Sequence, residues 1–229
     1  MLREWSGTVV PRCVSWMFDS AVWTLPGDSV RPRIALTFDD GPEPGVTERI
    51  LSTLARHRVP AAFFMLGRNV QRHPDLVRRV ADAGHVIGNH SDTHLDGWRV
   101  RTSNLLTDFD RGADALAGIL GHPPHWMRPP YGHFTLPLIA WCRRQRQRMV
   151  MWDVAPPDYC PGVLQRDVRQ SLDRWLRPGS IVLLHDNAAS GAVTPALLDD
   201  YLPRLRDAGW DFAPLPDSEQ TAPSWRAAA

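Results

Sequence analysis

Ile34-Ala35-Leu36-Thr37-Phe38-Asp39-Asp40-Gly41-Pro42 begins as an apolar run rich in strand formers and ends in two adjacent carboxylates and a Gly-Pro breaker. This is the pattern of a buried strand running into a turn. Asp-Gly is ordinary turn chemistry, and a solvated turn is the simplest account of it. Two acids side by side at the end of a buried strand are nevertheless costly. They repel each other, and where water is excluded each needs a partner or a metal ion.

Outward from this run the chain alternates strand and helix. Strands are expected at 34–38, 61–66, 85–88, 125–127, 149–152, 181–184 and 210–213. Between them, helices are expected at 47–58, 74–83, from 102 or 103 to about 120, 135–146, 167–176 and 195–208. Thr47 and Thr102 or Ser103 are read as N-caps, and Pro74 with Gly84 follows the usual asymmetry of helix ends. Leu105, Leu106, Phe109, Ala113, Leu116, Ala117 and Leu120 recur at the helical period and mark a core-facing stripe. Such alternation builds parallel strands with helices outside. About seven units in one domain suit a (β/α) barrel, distorted or incomplete, better than a doubly wound sheet. No Gly-rich phosphate fingerprint follows the first strand. The domain is taken as residues 33–214. Residues 1–32, with Trp5, Trp16 and Trp23, form an N-terminal extension, and 215–229 a flexible tail.

The chain has 229 residues, enough for one domain with a substantial core. Its formal charge of +1 gives no reason to expect nucleic acid or an acidic membrane as partner. Arginine far outnumbers lysine but is scattered over helix faces. Cys13, Cys142 and Cys160 lack a CxxC pairing, which disfavours a disulfide framework or a thiolate zinc site. No run is long enough to span a membrane. Pro11-Arg12 and Asp19 interrupt the apolar start, so no secretory signal is recognised. The chain as written is read as cytoplasmic, and as extracellular or cell-wall if an export segment is missing from it.

In a (β/α) barrel the loops after the strands build the active site. Those loops carry Asp39-Asp40, His90-Ser91-Asp92-Thr93-His94, Arg128-Pro129-Pro130-Tyr131-Gly132, Asp153 and His185-Asp186. His90 and His94, four residues apart, can face one ion. On spacing alone the pair is a weak signal. Two histidines with one carboxylate from another strand end make a catalytic zinc set with a position left open. Neighbouring residues on a strand point to opposite faces, so one of Asp39 and Asp40 can bind metal while the other faces the open position. His185, just past an apolar strand, suits a general acid. His57, His73, His85, His122, His125 and His133 are given no role. Trp98, Trp126, Trp141 and Trp152 are candidates for stacking on sugars, with core packing expected for most of them.

These motifs resemble the NodB-type polysaccharide deacetylases, carbohydrate esterases that remove N- or O-acetyl groups. Thr37-Phe38-Asp39-Asp40-Gly41-Pro42 is similar to the first family motif, His90-Ser91-Asp92-Thr93-His94 to the second and Arg128-Pro129-Pro130-Tyr131-Gly132 to the third. Leu183-Leu184-His185 is similar to the fifth. Phe63-Phe64-Met65-Leu66-Gly67 and Gly84-His85-Val86-Ile87-Gly88-Asn89 also match, and the likeness runs from about residue 33 to 213. The fourth motif departs. Trp152-Asp153-Val154-Ala155-Pro156-Pro157-Asp158-Tyr159 keeps both acids but ends in Tyr159 where the family has Trp, which bears on the substrate more than on the reaction.

The resemblance implies that Asp40, His90 and His94 hold one divalent metal, usually Zn2+ and sometimes Co2+ or Ni2+. Asp39 would be the general base toward the attacking water. The Tyr131 backbone N–H would stabilise the oxyanion, and His185 would protonate the leaving amine. Arg128 would pair with Asp39, and Asp153 would hold His185. Three functions follow from this reading. The first is a deacetylase acting on acetylated sugars or polysaccharides. The second is the same hydrolysis on a small-molecule biosynthetic intermediate, since a cell-wall polymer is out of reach of a cytosolic enzyme. The third is a weakly active glycan-binding protein, against which the intact Asp39, Asp40, His90, His94 and His185 argue.

Overall fold

The structure is a computed structural model and describes residues 21–26 and 31–215. The readings that involve Trp5, Cys13, Trp16 and the tail from residue 216 lie outside the described residues. The strands are β1 (Ala21–Val22), β2 (Arg33–Asp39), β3 (Ala61–Met65), β4 (Val86–Asn89), β5 (Trp126–Met127), β6 (Arg148–Val150), β7 (Ile181–His185) and β8 (Asp211–Phe212). The helices are α1 (Thr47–His57), α2 (Gly67–Arg72), α3 (Pro74–Asp82), α4 (Thr102–Leu120), α5 (Leu136–Gln145), α6 (Gln165–Trp175) and α7 (Thr194–Asp207).

The sheet runs β1-β6-β5-β4-β3-β2-β7, with β8 beside the start of β2. Every named pairing is parallel. The two edges of the sheet meet through single bridges, Val154 to Val182 and Thr24 to Ser180. The result is the expected distorted barrel, curled shut on one side without a continuous ladder. Each strand alternates its two faces. Ile34, Leu36 and Phe38 point outward and pack with Ile50, Leu54, Leu197 and Leu202 from α1 and α7. Ala35, Ala62, Phe64, Trp126, Val150 and Ile181 fill the interior. A second outer cluster joins Met127, Met149 and Met151 to Leu105 and Phe109 of α4 and to Leu138 and Trp141 of α5.

Several expectations need correction. Ala21–Val22, read as part of the extension, pairs with β6 as an edge strand, and Trp23 and Leu25 are buried beside it. Leu215, placed at the head of the tail, is buried in the barrel interior. The short helix α2 was not expected. Thr47 does not cap α1. It lies inside the helix and turns its hydroxyl to Asp186 Oδ2 at 2.7 Å. Arg101 stands at the N-cap of α4, without a side-chain cap. α6 starts two residues before Asp167, whose carboxylate accepts from Leu164 N at 3.0 Å. No helix among the described residues is long and apolar enough to cross a membrane.

Candidate active site

Strand register brings the polar groups to one rim. Asp39 pairs with His185 across β2 and β7, Met65 with Asn89 across β3 and β4, and Asn89 with Met127 across β4 and β5. The residues that follow these strand ends are therefore level with one another. Asp40 takes a left-handed backbone at φ 78°, so the chain turns sharply at the strand exit. Gly41 lies so close to Asp186 that a Cβ there would meet its carboxylate at 2.1 Å, and only glycine fits.

Asp40, His90 and His94 converge. Their ligand atoms all lie within 4.8 Å of one another. Asp40 Oδ1 is 3.2 Å from His94 Nε2 and 3.5 Å from His90 Nε2. His90 Nδ1 is 2.7 Å from the Arg128 carbonyl oxygen. Donation to that carbonyl fixes the tautomer with Nε2 as the free ligand atom, which is how metal-bound imidazoles are oriented. Asn187 Nδ2 donates to Asp40 Oδ2 at 2.9 Å. Asp40 Oδ1 is buried and accepts no hydrogen bond. An orphaned carboxylate oxygen facing two imidazole nitrogens fits a cation. Burial raises the Asp40 pKa, but His90 and His94 outweigh it and hold the carboxyl far below its ordinary range. Burial also pushes His90 down, while the Asp39 and Asp40 carboxylates carry it above its usual value. The loop bearing both histidines is pinned to α4. Asp108 accepts from the Thr93 hydroxyl at 2.7 Å and from Thr93 N at 3.1 Å, and Asn89 Nδ2 donates to Phe109 O at 3.0 Å.

Asp39 sits beside this cluster with a different partner. Its Oδ1 accepts from Arg128 Nη1 at 2.8 Å. Its Oδ2 is 3.7 Å from His90 Nε2 and so lies on the cluster side. Arg128 is fully buried in the barrel interior. It also donates to Thr37 Oγ1 at 2.8 Å, to Met151 O at 2.9 Å and to Val150 O at 3.2 Å, and it lies 4.3 Å over the Phe64 ring. A buried guanidinium is tolerable only when its donors are met this completely.

The support for His185 differs from the expectation. Asp158, not Asp153, faces the imidazole. Asp158 Oδ1 is 2.8 Å from His185 Nδ1, and Oδ2 accepts from His185 N and Thr194 Oγ1, each at 2.7 Å. Asp153 instead accepts from Ser180 Oγ at 2.9 Å and Ile181 N at 2.8 Å. The reason is register. Val154 bridges Val182, so Asp153 is level with the start of β7, while His185 ends that strand about 13 Å further along. Burial alone pushes His185 down, but the Asp158 charge and hydrogen bond lead the groups that raise its pKa to about 9. With Nδ1 tied to Asp158, Nε2 is the atom that can give a proton. Tyr159, half-exposed, sets its ring edge-on to His185 at 4.6 Å.

Tyr131 has a left-handed backbone at φ 59° and ψ 5°, and its exposed ring meets His94 edge-on at 4.6 Å. The neighbouring amides of Gly132 and His133 are taken up by Pro129 O and Pro130 O. Gly132 is also left-handed, and a Cβ there would meet the Trp152 ring at 2.8 Å. Thr37, Asp158, Asn187 and Thr194 had no assigned role in the sequence reading. For Asp158 a signal existed, the second acid of the Trp152–Tyr159 segment. Thr37 stands inside the first motif without a role of its own, and no local pattern marks Asn187 or Thr194.

Comparison with known proteins agrees with this geometry. Residues 27–164 match the family model described as polysaccharide deacetylase. The chain is 33% identical over 211 residues to a peptidoglycan-N-acetylglucosamine deacetylase of Bacillus cereus, covering 91% of this chain and 75% of the relative. It is 35% identical over 196 residues to a chitooligosaccharide deacetylase of Bradyrhizobium sp., covering 80% and 89%. A crystal structure of a peptidoglycan N-acetylglucosamine deacetylase superposes with a TM-score of 0.83 at 31% identity, covering 93% of this chain and 99% of that one. A family 4 carbohydrate esterase from Streptomyces lividans superposes at 0.72 with 28% identity, covering 81% and 98%. With motifs, fold and rim geometry in agreement, the chain belongs to the polysaccharide deacetylase family.

Proposed function

We propose that this protein is a metal-dependent hydrolase that removes the acetyl group from N-acetylated sugars of a glycan, releasing acetate and a free amine. The observation that carries this reading is the orphaned Asp40 Oδ1 facing His90 Nε2 and His94 Nε2, beside a second carboxylate and a polarised histidine. The relatives named as peptidoglycan-N-acetylglucosamine and chitooligosaccharide deacetylases support the substrate class. Fold alone would not, since a pseudoenzyme from Bacillus anthracis shares it with a TM-score of 0.75 at 23% identity.

Asp40, His90 and His94 are the residues that would hold the cation. Two imidazoles and one carboxylate suit Zn2+, with Co2+ and Ni2+ accommodated by the same donors. Once bound, the ion would polarise the acetyl carbonyl and make the attacking water more acidic. Asp39 takes the proton from that water through its carboxylate, held and aimed by Arg128 at 2.8 Å. Water oxygen bonds to the acyl carbon, and the Tyr131 N–H donates to the oxygen on which charge develops. The C–N bond then breaks as His185 passes the proton on Nε2 to the departing nitrogen. Asp158 keeps that imidazole protonated and oriented. Asp153 acts on the barrel seam rather than on the reaction.

The test is acetate release from a panel of chitooligosaccharides, peptidoglycan fragments, acetylated xylan and small N-acetylamino sugars, with and without chelator. Chelator-sensitive release from the glycans is expected. Release from small N-acetyl compounds alone would move the reading to a biosynthetic intermediate. Silence across the panel with metal bound would overturn it.

A further inference from the structure

A row of aromatic rings leads away from the candidate metal site. Tyr131 lies 4.6 Å from the His94 ring and 5.7 Å from the His133 ring, and His133 is stacked on Trp98 at 3.6 Å with an interplanar angle of 7°. Trp98 is 65% exposed, although His133 covers one face of it. The opposite face of the indole is therefore presented to solvent. Trp126 and Trp141, by contrast, are buried in the core.

An exposed tryptophan held this firmly is unusual, because exposed side chains ordinarily keep their rotamer freedom. Trp98 Nε1 donates to Phe134 O at 3.2 Å. Asp96 Oδ1 accepts from Trp98 N at 3.0 Å and lies 2.7 Å from His133 Nδ1, so one carboxylate fixes both the platform and its backing ring. The ordering cost of a ligand contact is thus already met in the free protein.

We infer that Trp98, backed by His133 and fixed by Asp96, is a stacking subsite for a pyranose ring two or more units along the glycan from the acetylated sugar at the metal site. The inference rests on the deacetylase reading above. The chemistry is that of a flat π face, whose negative quadrupole accepts the weakly positive C–H groups of a sugar ring. A β-linked N-acetylglucosamine chain carries its ring substituents equatorially and exposes such C–H faces, while its hydroxyls stay hydrated. An open platform serves this better than a closed pocket. The row from His94 through Tyr131 and His133 gives the platform continuity with the reacting sugar.

The experiment uses the full chain, metal-loaded, and compares wild type, Trp98→Ala and Trp98→Phe on β-1,4-linked N-acetylglucosamine oligomers from dimer to hexamer. Trp98→Ala is expected to raise KM for the longer oligomers about ten-fold more than for the dimer, with Trp98→Phe intermediate. A KM change of equal factor at every length, or none, overturns the subsite. Isothermal titration with a fully deacetylated glucosamine pentamer separates this from the deacetylase reading. If no oligomer yields acetate, that reading has failed. The subsite then stands only if the pentamer binds wild type about ten-fold tighter than Trp98→Ala. Equal binding, or none to wild type, overturns it.

Discussion

Replacing Asp158 with Asn removes the charge that keeps His185 protonated. Burial pushes this imidazole down, and Asp158 leads the carboxylates that lift it to about 9. Without that charge burial is offset only by the Asp39 and Asp40 carboxylates, and the group returns toward its ordinary value of about 6.5. At pH 8 the protonated fraction is then about 0.03 instead of about 0.9, so kcat at pH 8 should fall roughly 30-fold. At pH 6 most of the imidazole is protonated in either protein, and the loss from this cause is less than about two-fold. The ratio of kcat at pH 8 to that at pH 6 is therefore the diagnostic, because any loss of orientation lowers both rates together. Histidine NMR titration of the chelated protein reads the pKa directly. The linked stability has a definite sign. A raised histidine pKa stabilises the fold fully below about pH 6.5, and that contribution is lost as pH rises through about 9. Asp158→Asn should flatten the fall in Tm over this interval. Asp153→Asn should leave the pH profile in place and lower stability by about 1–3 kcal/mol through its lost bond to Ser180 or Ile181. An unchanged pH 8 to pH 6 ratio in Asp158→Asn, or an equal shift in Asp153→Asn, would refute the assignment.

Asp39→Asn should keep one metal per chain by elemental analysis but lose about 10²- to 10⁴-fold in kcat. Arg128→Met leaves the buried Asp39 carboxylate without its cation. It should cost about 3–5 kcal/mol, read as a Tm lower by on the order of 10 °C. Asn187→Ala frees Asp40 Oδ2 and should weaken Zn2+ affinity about ten-fold in competition with a chromophoric chelator.

The alternation of strands and helices was readable because each apolar run is bounded by a turn and followed by a helical period, as at Ile181–His185 between Gly179 and α7. Asp40 and His90 stood out because each directly follows such a run, and His94 because it lies four residues after His90. Ala21–Val22 was not, since two residues carry no period and their pairing partner lies on β6. Thr47 shows the limit of local rules. Its place before a helical pattern suggests a cap, yet its hydroxyl goes to Asp186, 139 residues away in sequence. Asp153 and Asp158 lie five residues apart in one Pro-containing segment, and only the Val154–Val182 register decides which of them reaches His185. His133, given no role from sequence, acquires one only when the fold stacks it against Trp98.

The most direct test of the central claim is acetate release from the N-acetylglucosamine tetramer by protein stripped with chelator and then titrated with Zn2+. The site geometry predicts no release at zero metal, a linear rise, and a plateau at one equivalent per chain that His94→Ala does not reach. Undiminished release from the stripped protein, or a plateau that His94→Ala attains equally, would contradict it.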